Sequence, residues 1–265
     1  MRRLAGVGVL VTRPRAQSTA LCRLLEEHGA TAVALPSITI EPVAPPAGLA
    51  QRIGSADAFD LVVFSSANAV QHGIALLGPQ RDLTIAAIGP ATQRALERAG
   101  YPVAITPQGG FDSEHLLAAP ALQDLAGRRV LLVKGVGGRD LLARELAARG
   151  ARVDVVEVYR RSPATPEPAQ LRSIEARIEA GALQVVTATS VEVAGALLAI
   201  SPPTLRTALQ RLQWLVPAGR VANALESLGI HGPRIEATSP DDSALVDALL
   251  RSAAARPAGY SNDSR

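Results

Sequence analysis

Apolar residues fall along the chain in two alternating periods. Short, mostly uninterrupted runs occupy residues 7–11, 61–64, 85–88, 130–133, 153–159, 185–187 and 215–216, the pattern of strands whose two faces are both covered. Between them, leucines recur at helical spacing: Leu21, Leu24 and Leu25 precede Gly29, and Leu142 and Leu146 precede Gly150. Each glycine stands where a helix-terminating residue belongs. Strand runs alternating with helical segments predict an α/β protein built on parallel sheets.

The two helical segments also align with each other. Residues 9–30 run without a gap against residues 130–151, placing Leu21, Leu25 and Gly29 opposite Leu142, Leu146 and Gly150. Further on, Phe64-Ser65-Ser66 matches Ala188-Thr189-Ser190, and residues 95–100 match residues 224–229, so the offset drifts from 121 to 129. Two similar α/β units are expected. Proline-rich stretches at 42–46 and 163–168 each end an extended run and suit a crossing between units, whereas a simple tandem boundary falls near Gly127. The small, polar residues 252–265 predict a disordered tail.

Composition narrows the class. Of 265 residues, 48% are hydrophobic and 19% charged, which excludes a disordered chain and supports two cores. The net charge of +3 and the 3% aromatic content give no basis for stacking on nucleic-acid bases. The longest apolar stretch, 191–200, is half a membrane span and contains Glu192. The lone Cys22 excludes an internal disulfide and reads as core packing in a cytoplasmic protein. All cations except Lys134 are arginines, a usage that suits bidentate grip on carboxylates or phosphates where arginines converge and that base composition alone also produces.

Familiar catalytic signatures are missing: Gly135-Val136-Gly137-Gly138 lacks the final glycine of the dinucleotide fingerprint, the phosphate-loop lysine motif is absent, and His28, His72, His115 and His231 lack metal-ligand spacing. What recurs is small polar or glycine residues, with occasional cations, at the carboxyl ends of the strand runs: Thr12 and Arg13, Ser65 and Ser66, Gly89, Lys134 and Gly135, Thr189 and Ser190, and Arg220. In open parallel sheets these ends form the ligand crevice, where backbone N–H groups meet anions. Taken singly, each Ser or Thr serves equally well as a helix N-cap. Tyr159 ends a strand run just before Arg160, Arg161 and Pro163; its phenol either donates a proton or covers the strand end with its ring.

Five segments carry a family resemblance: Val9-Leu10-Val11-Thr12-Arg13-Pro14, Phe64-Ser65-Ser66-Ala67-Asn68-Ala69-Val70, Ala87-Ile88-Gly89-Pro90-Ala91-Thr92, Ser113-Glu114-His115-Leu116-Leu117 and Val158-Tyr159-Arg160-Arg161. In this order and spacing they resemble the uroporphyrinogen-III synthase family over roughly residues 7–250. The resemblance implies two flavodoxin-like parallel-sheet domains joined by a two-stranded linker, the first discontinuous: residues 1–37 with 162–265, and residues 42–158. It implies a cofactor-free hydro-lyase of porphyrin and heme biosynthesis, without a metal, that closes the linear tetrapyrrole hydroxymethylbilane to uroporphyrinogen III. Water is lost and ring D is inverted through a spiro intermediate. By the same resemblance Tyr159 assists departure of the hydroxyl, and Thr12, Arg13, Ser65, Ser66, Asn68, Gly89, Thr92, Lys134, Gly135, Thr189, Ser190 and Arg220 bind substrate. The segment Pro217-Ala218-Gly219-Arg220-Val221 lacks the hydroxyl common there in the family, so backbone N–H groups would have to serve. The implied protein is a cytoplasmic monomer, bound to neither membrane nor nucleic acid, that receives substrate by transient hand-over from the preceding enzyme. A non-catalytic two-domain receptor for a polyanionic small molecule also explains the duplication and the strand-end residues.

Overall fold

The computed structural model describes residues 3–45, 48–49, 59–77, 83–138 and 140–255. Their strands, in chain order, are β1 (Gly8–Val11), β2 (Thr31–Ala34), β3 (Ile38–Pro42), β4 (Leu61–Phe64), β5 (Ile85–Ala87), β6 (Arg129–Gly135), β7 (Arg152–Pro163), β8 (Val185–Thr187), β9 (Gln213–Pro217) and β10 (Arg234–Ala237). They form two sheets, ordered β10-β9-β8-β1-β2 and β3-β7-β6-β4-β5. The chain divides into two compact units, Met1–Thr39 with Ser162–Arg265, and Ile40–Arg161.

Burial explains which strands the apolar pattern reveals. β1, β4, β5 and β8 are buried along their whole length, so both faces select apolar residues. In the continuous unit, Val62 and Phe64 of β4 join Leu131 and Val133 of β6 in one core, while Leu61 and Val63 join Val130 and Leu132 in the core of the opposite face. Burial of each such side chain contributes roughly 1.5–3 kcal/mol. β2 and β10 have no counterpart among the expected runs. They are the edge strands of their sheet, with exposed positions that loosen the selection.

The expected repeat is structural. β1 pairs with β2 through Gly8 and Thr31, and β6 pairs with β7 through Arg129 and Arg152, the same register displaced by 121 residues. Val186 opposite Trp214 in one sheet corresponds to Val62 opposite Ile85 in the other, and Leu215 opposite Ile235 corresponds to the bridge between Ala86 and Ile105. The discontinuous unit thus has the flavodoxin order 2-1-3-4-5, and the continuous unit has the same order with its segments permuted: β6 and β7 play strands one and two, and β4, β5 and Ile105 play three, four and five. Five of the described helices end alike. The N–H groups of Gly29, Gly100, Gly150, Gly181 and Gly229, all with φ between 67° and 93°, bond back to Glu26, Glu97, Ala147, Ile178 and Glu226, and the next residue bonds to Leu25, Leu96, Leu146, Arg177 or Leu225, the Schellman arrangement.

β3 and β7 run antiparallel. The N–H of Val43 bonds to the Val158 carbonyl at 3.0 Å, the Thr39 hydroxyl to the Ser162 carbonyl at 3.3 Å, and the N–H of Ala164 to the Ser37 carbonyl at 2.9 Å. This ribbon carries both crossings of the chain between units. At the carboxyl end, the expected tail begins as ordered structure: the final helix, Asp242–Ala254, buries Leu249 and Leu250 and continues through Ser252 and Ala253. Residues 256–265 lie outside the described residues.

Candidate active site

Tyr159 owes its position to a break in strand register. Lys134 stands opposite Glu157, but the next pair is Gly135 with Tyr159, so β7 carries one extra residue and Tyr159 joins Val156 and Val158 in the same core. Such a bulge re-aims a side chain at a strand end. The phenol is 2% exposed. Its oxygen lies 3.1 Å from the Ser66 hydroxyl and accepts a hydrogen bond from Nη2 of Arg161 at 2.9 Å. The Arg161 guanidinium carbon sits 5.4 Å from the centre of the tyrosine ring, and the His72 ring stacks on it at 6.0 Å. A Cβ on Gly135 would come within 2.6 Å of the phenol's Cζ, so glycine there makes room for the ring.

Ser66 is half-buried and caps the helix Ala67–Gly73, its hydroxyl accepting from the Ala69 N–H at 3.0 Å. Ser190, its counterpart in the repeat, caps Val191–Ile200 through the Val193 N–H at 3.1 Å. Ser65 gives its N–H to the Val133 carbonyl at 3.0 Å; Asn68 is half-buried beside it, as is Thr189 beside Ser190. Gly89 is the extended residue before the helix Pro90–Arg98, and a Cβ there would touch Phe111 at 3.4 Å. Thr92 on that helix is 3% exposed, whereas Arg220, at the start of Arg220–Ser227, is exposed.

The two strand-end cations occupy equivalent places in the repeat and are equally buried: Arg13 and Lys134 are each 8% exposed. Their partners differ. Arg13 donates to Asp242 and to the Pro240 carbonyl; burial pushes its guanidinium below the ordinary value and Asp242 opposes that shift. With Asp242 itself 28% exposed, this pair is costly to open. Lys134 Nζ meets the Asp140 carboxylate at 3.0 Å, but Asp140 is 84% exposed, and a pair with so open a partner contributes about 0–1 kcal/mol. Exchanging Asp140 for another carboxylate would therefore cost little, and exchanging Asp242 much more. Thr12, fully buried, donates its hydroxyl to the Thr187 carbonyl. In this structure Thr12 and Arg13, expected among the ligand groups, tie the discontinuous unit together.

Through-space partners escaped the sequence reading. Arg161 stands beside Tyr159 in the strand-end motif, but His72 and Asp242 complete their contacts from positions that neither spacing nor strand-end composition singles out, and the bulge at Val158 has no signal in the apolar run. Cys22 packs against the core of the discontinuous unit, and its burial pushes the thiol pKa up. Among the described residues, no group of three His, Cys, Asp or Glu is placed to hold a metal ion.

Comparison with known proteins agrees with the two-sheet α/β fold. A family model described as "Uroporphyrinogen-III synthase HemD" matches residues 19–247. The uroporphyrinogen-III synthase of Escherichia coli (strain K12) is 32% identical over 92% of this chain and 100% of its own length; that of Salmonella typhimurium is 33% identical with the same coverage. Among solved structures, a mutant uroporphyrinogen III synthase from Thermus thermophilus aligns with a TM-score of 0.59 at 25% identity, covering 92% of this chain and 98% of the other. The uroporphyrinogen-III synthetase of Helicobacter pylori 26695 shares the fold, with a TM-score of 0.61 at 16% identity over 92% and 99% of the two chains. The chain therefore belongs to the uroporphyrinogen-III synthase family.

Proposed function

We propose that this chain closes hydroxymethylbilane to uroporphyrinogen III, releasing water and inverting ring D through a spiro intermediate. Family membership supports the reaction, and the observation that carries it to particular residues is the buried Tyr159 phenol between Ser66 and Arg161. Because the open substrate also closes unaided to the symmetrical isomer, the larger demand on the protein is orientation, which can contribute about 7–11 kcal/mol. Proton donation contributes about 10²–10⁴-fold, and less where the leaving group departs by itself.

In this proposal Lys134 binds a substrate carboxylate in place of Asp140, and backbone N–H groups in the segments that follow Ser65 and Gly89, with Asn68, donate to others. Thr189, Ser190 and Arg220 are ligands of the same kind on the discontinuous unit. Among the described residues no helix is long and apolar enough to cross a membrane. We place the protein in the cytoplasm as a monomer. Direct hand-over from the enzyme that makes the bilane would limit its spontaneous closure. The test is incubation with freshly generated hydroxymethylbilane followed by separation of product isomers. The type III isomer should rise with enzyme concentration; persistence of the type I isomer at every concentration would sink the proposal.

A further inference from the structure

We infer that Ser66, and not the buried Tyr159, is the group that hands a proton to the departing hydroxyl, with Tyr159 and Arg161 acting through it as a relay. The inference rests on the cyclase proposal and extends it to a direction of proton flow. Of the two directions that the contact between Tyr159 and Ser66 allows, the count of donors and acceptors favours one. A guanidinium only donates, so the 2.9 Å contact from Arg161 Nη2 makes the Tyr159 oxygen its acceptor. The phenol proton is then free to point along the 3.1 Å contact to Ser66. The Ser66 oxygen also accepts from the Ala69 N–H at 3.0 Å, which fills both of its lone pairs. Its own proton has one remaining use, donation away from the cluster. Exposure agrees with this order: Tyr159 is 2% exposed, Ser66 is half-buried, and Arg161 is exposed at the far end.

The step balances. The carbon–oxygen bond of the hydroxymethyl group breaks with its electron pair on oxygen, which takes the Ser66 proton and leaves as water. Ser66 takes the phenol proton, and the tyrosinate remains against the Arg161 guanidinium, a charge-assisted contact stronger than a neutral one. The cation left on the pyrrole is quenched by ring closure. The proton lost from the ring carbon as aromaticity returns then restores the phenol along the same path. Arg161 is thus a positioning residue: it fixes the direction of the phenol proton and holds the charge left behind.

The test compares single-turnover rates of Ser66→Ala, Tyr159→Phe and their double variant at matched folded fraction, with substrate affinity measured separately. Each single substitution should slow the step by up to about 10²-fold with affinity nearly unchanged. The double variant should be no slower than the slower single, because both remove one chain. Ser66→Thr, which keeps hydroxyl and cap, should recover most of the rate, and Arg161→Lys should recover more than Arg161→Gln. A proton inventory in mixed heavy water should be curved for the unaltered enzyme and lose its curvature in Tyr159→Phe. Multiplicative effects in the double variant, a wild-type rate in Ser66→Ala, or equal loss in the Ala and Thr variants would overturn the relay. If the unaltered enzyme makes only the type I isomer, it is the underlying cyclase proposal that fails.

Discussion

Single residues in this molecule gain their roles from contacts that are distant in sequence. Tyr159 and Ser66 stand out in the sequence because each closes a strand run, yet 93 residues separate them, and their meeting depends on the pairing of β4, β6 and β7 and on the bulge at Val158. Gly135 was legible as a strand-end glycine, but its work is steric. Gly135→Ala should press on the phenol ring, lengthen the contact to Ser66 and slow single turnover by up to about 10²-fold, while adding Tyr159→Phe to it should cause little further loss. Rate measurements on both variants check this; a Gly135→Ala enzyme with wild-type rate would separate the glycine from the phenol. Arg13 and Lys134 look alike in sequence position and burial but differ in their partners. Asp242→Ala leaves Arg13 buried without its carboxylate. Complete burial of such an orphan costs about 3–5 kcal/mol, and the 28% exposure of Asp242 reduces the expectation to about 2–3 kcal/mol, measurable by denaturant unfolding. Asp140→Ala should cost under about 1 kcal/mol in the same measurement.

At the level of elements, the apolar pattern reveals what lies in the middle of each sheet and misses what lies at the rim. β1, β4, β6 and β8 read as strands because both faces of their middle residues are buried and select apolar side chains. β10, with its alternation of exposed and buried positions, and β2, with none of its residues fully buried, satisfy weaker demands and merge into the surrounding polar sequence. Helix ends were legible for a different reason: the positive φ at Gly29 and Gly150 strains any side chain with a Cβ, so the constraint reaches the sequence directly. The N-caps allow a comparison between the units. Ser66→Ala and Ser190→Ala each remove one cap bond, and each should lower stability by about 1 kcal/mol, read from the unfolding of its own unit. A loss confined to one of the two would mean that the repeat does not preserve cap energetics.

Across the whole molecule, the repeat and the unit boundaries describe different divisions of the chain, which is why two boundaries competed in the sequence. The repeat divides near Gly127. The units divide at the β3–β7 ribbon. Each sheet consequently draws strands from both halves: β1 and β2 of the first half complete the sheet of β8, β9 and β10, while β6 and β7 of the second half complete the sheet of β4 and β5. Cutting the chain after Ala126 should therefore yield two fragments of which neither contains a whole sheet. Alone, each lacks the neighbours that cover its central strands and should be poorly folded or self-associated, since equivalent strands let two copies of one half imitate the exchange. Mixed in equal amounts, they should form a one-to-one complex in preference to either pair of copies. Thr12 bonds across the halves to Thr187, and Arg13 pairs across them with Asp242, whereas a pair of first halves leaves Arg13 buried without a carboxylate at a cost of several kcal/mol. Native mass measurement and circular dichroism of the fragments, separate and mixed, check this. Two fragments that each elute as folded monomers would show that the halves, and not the exchanged units, are the folding bodies of the molecule.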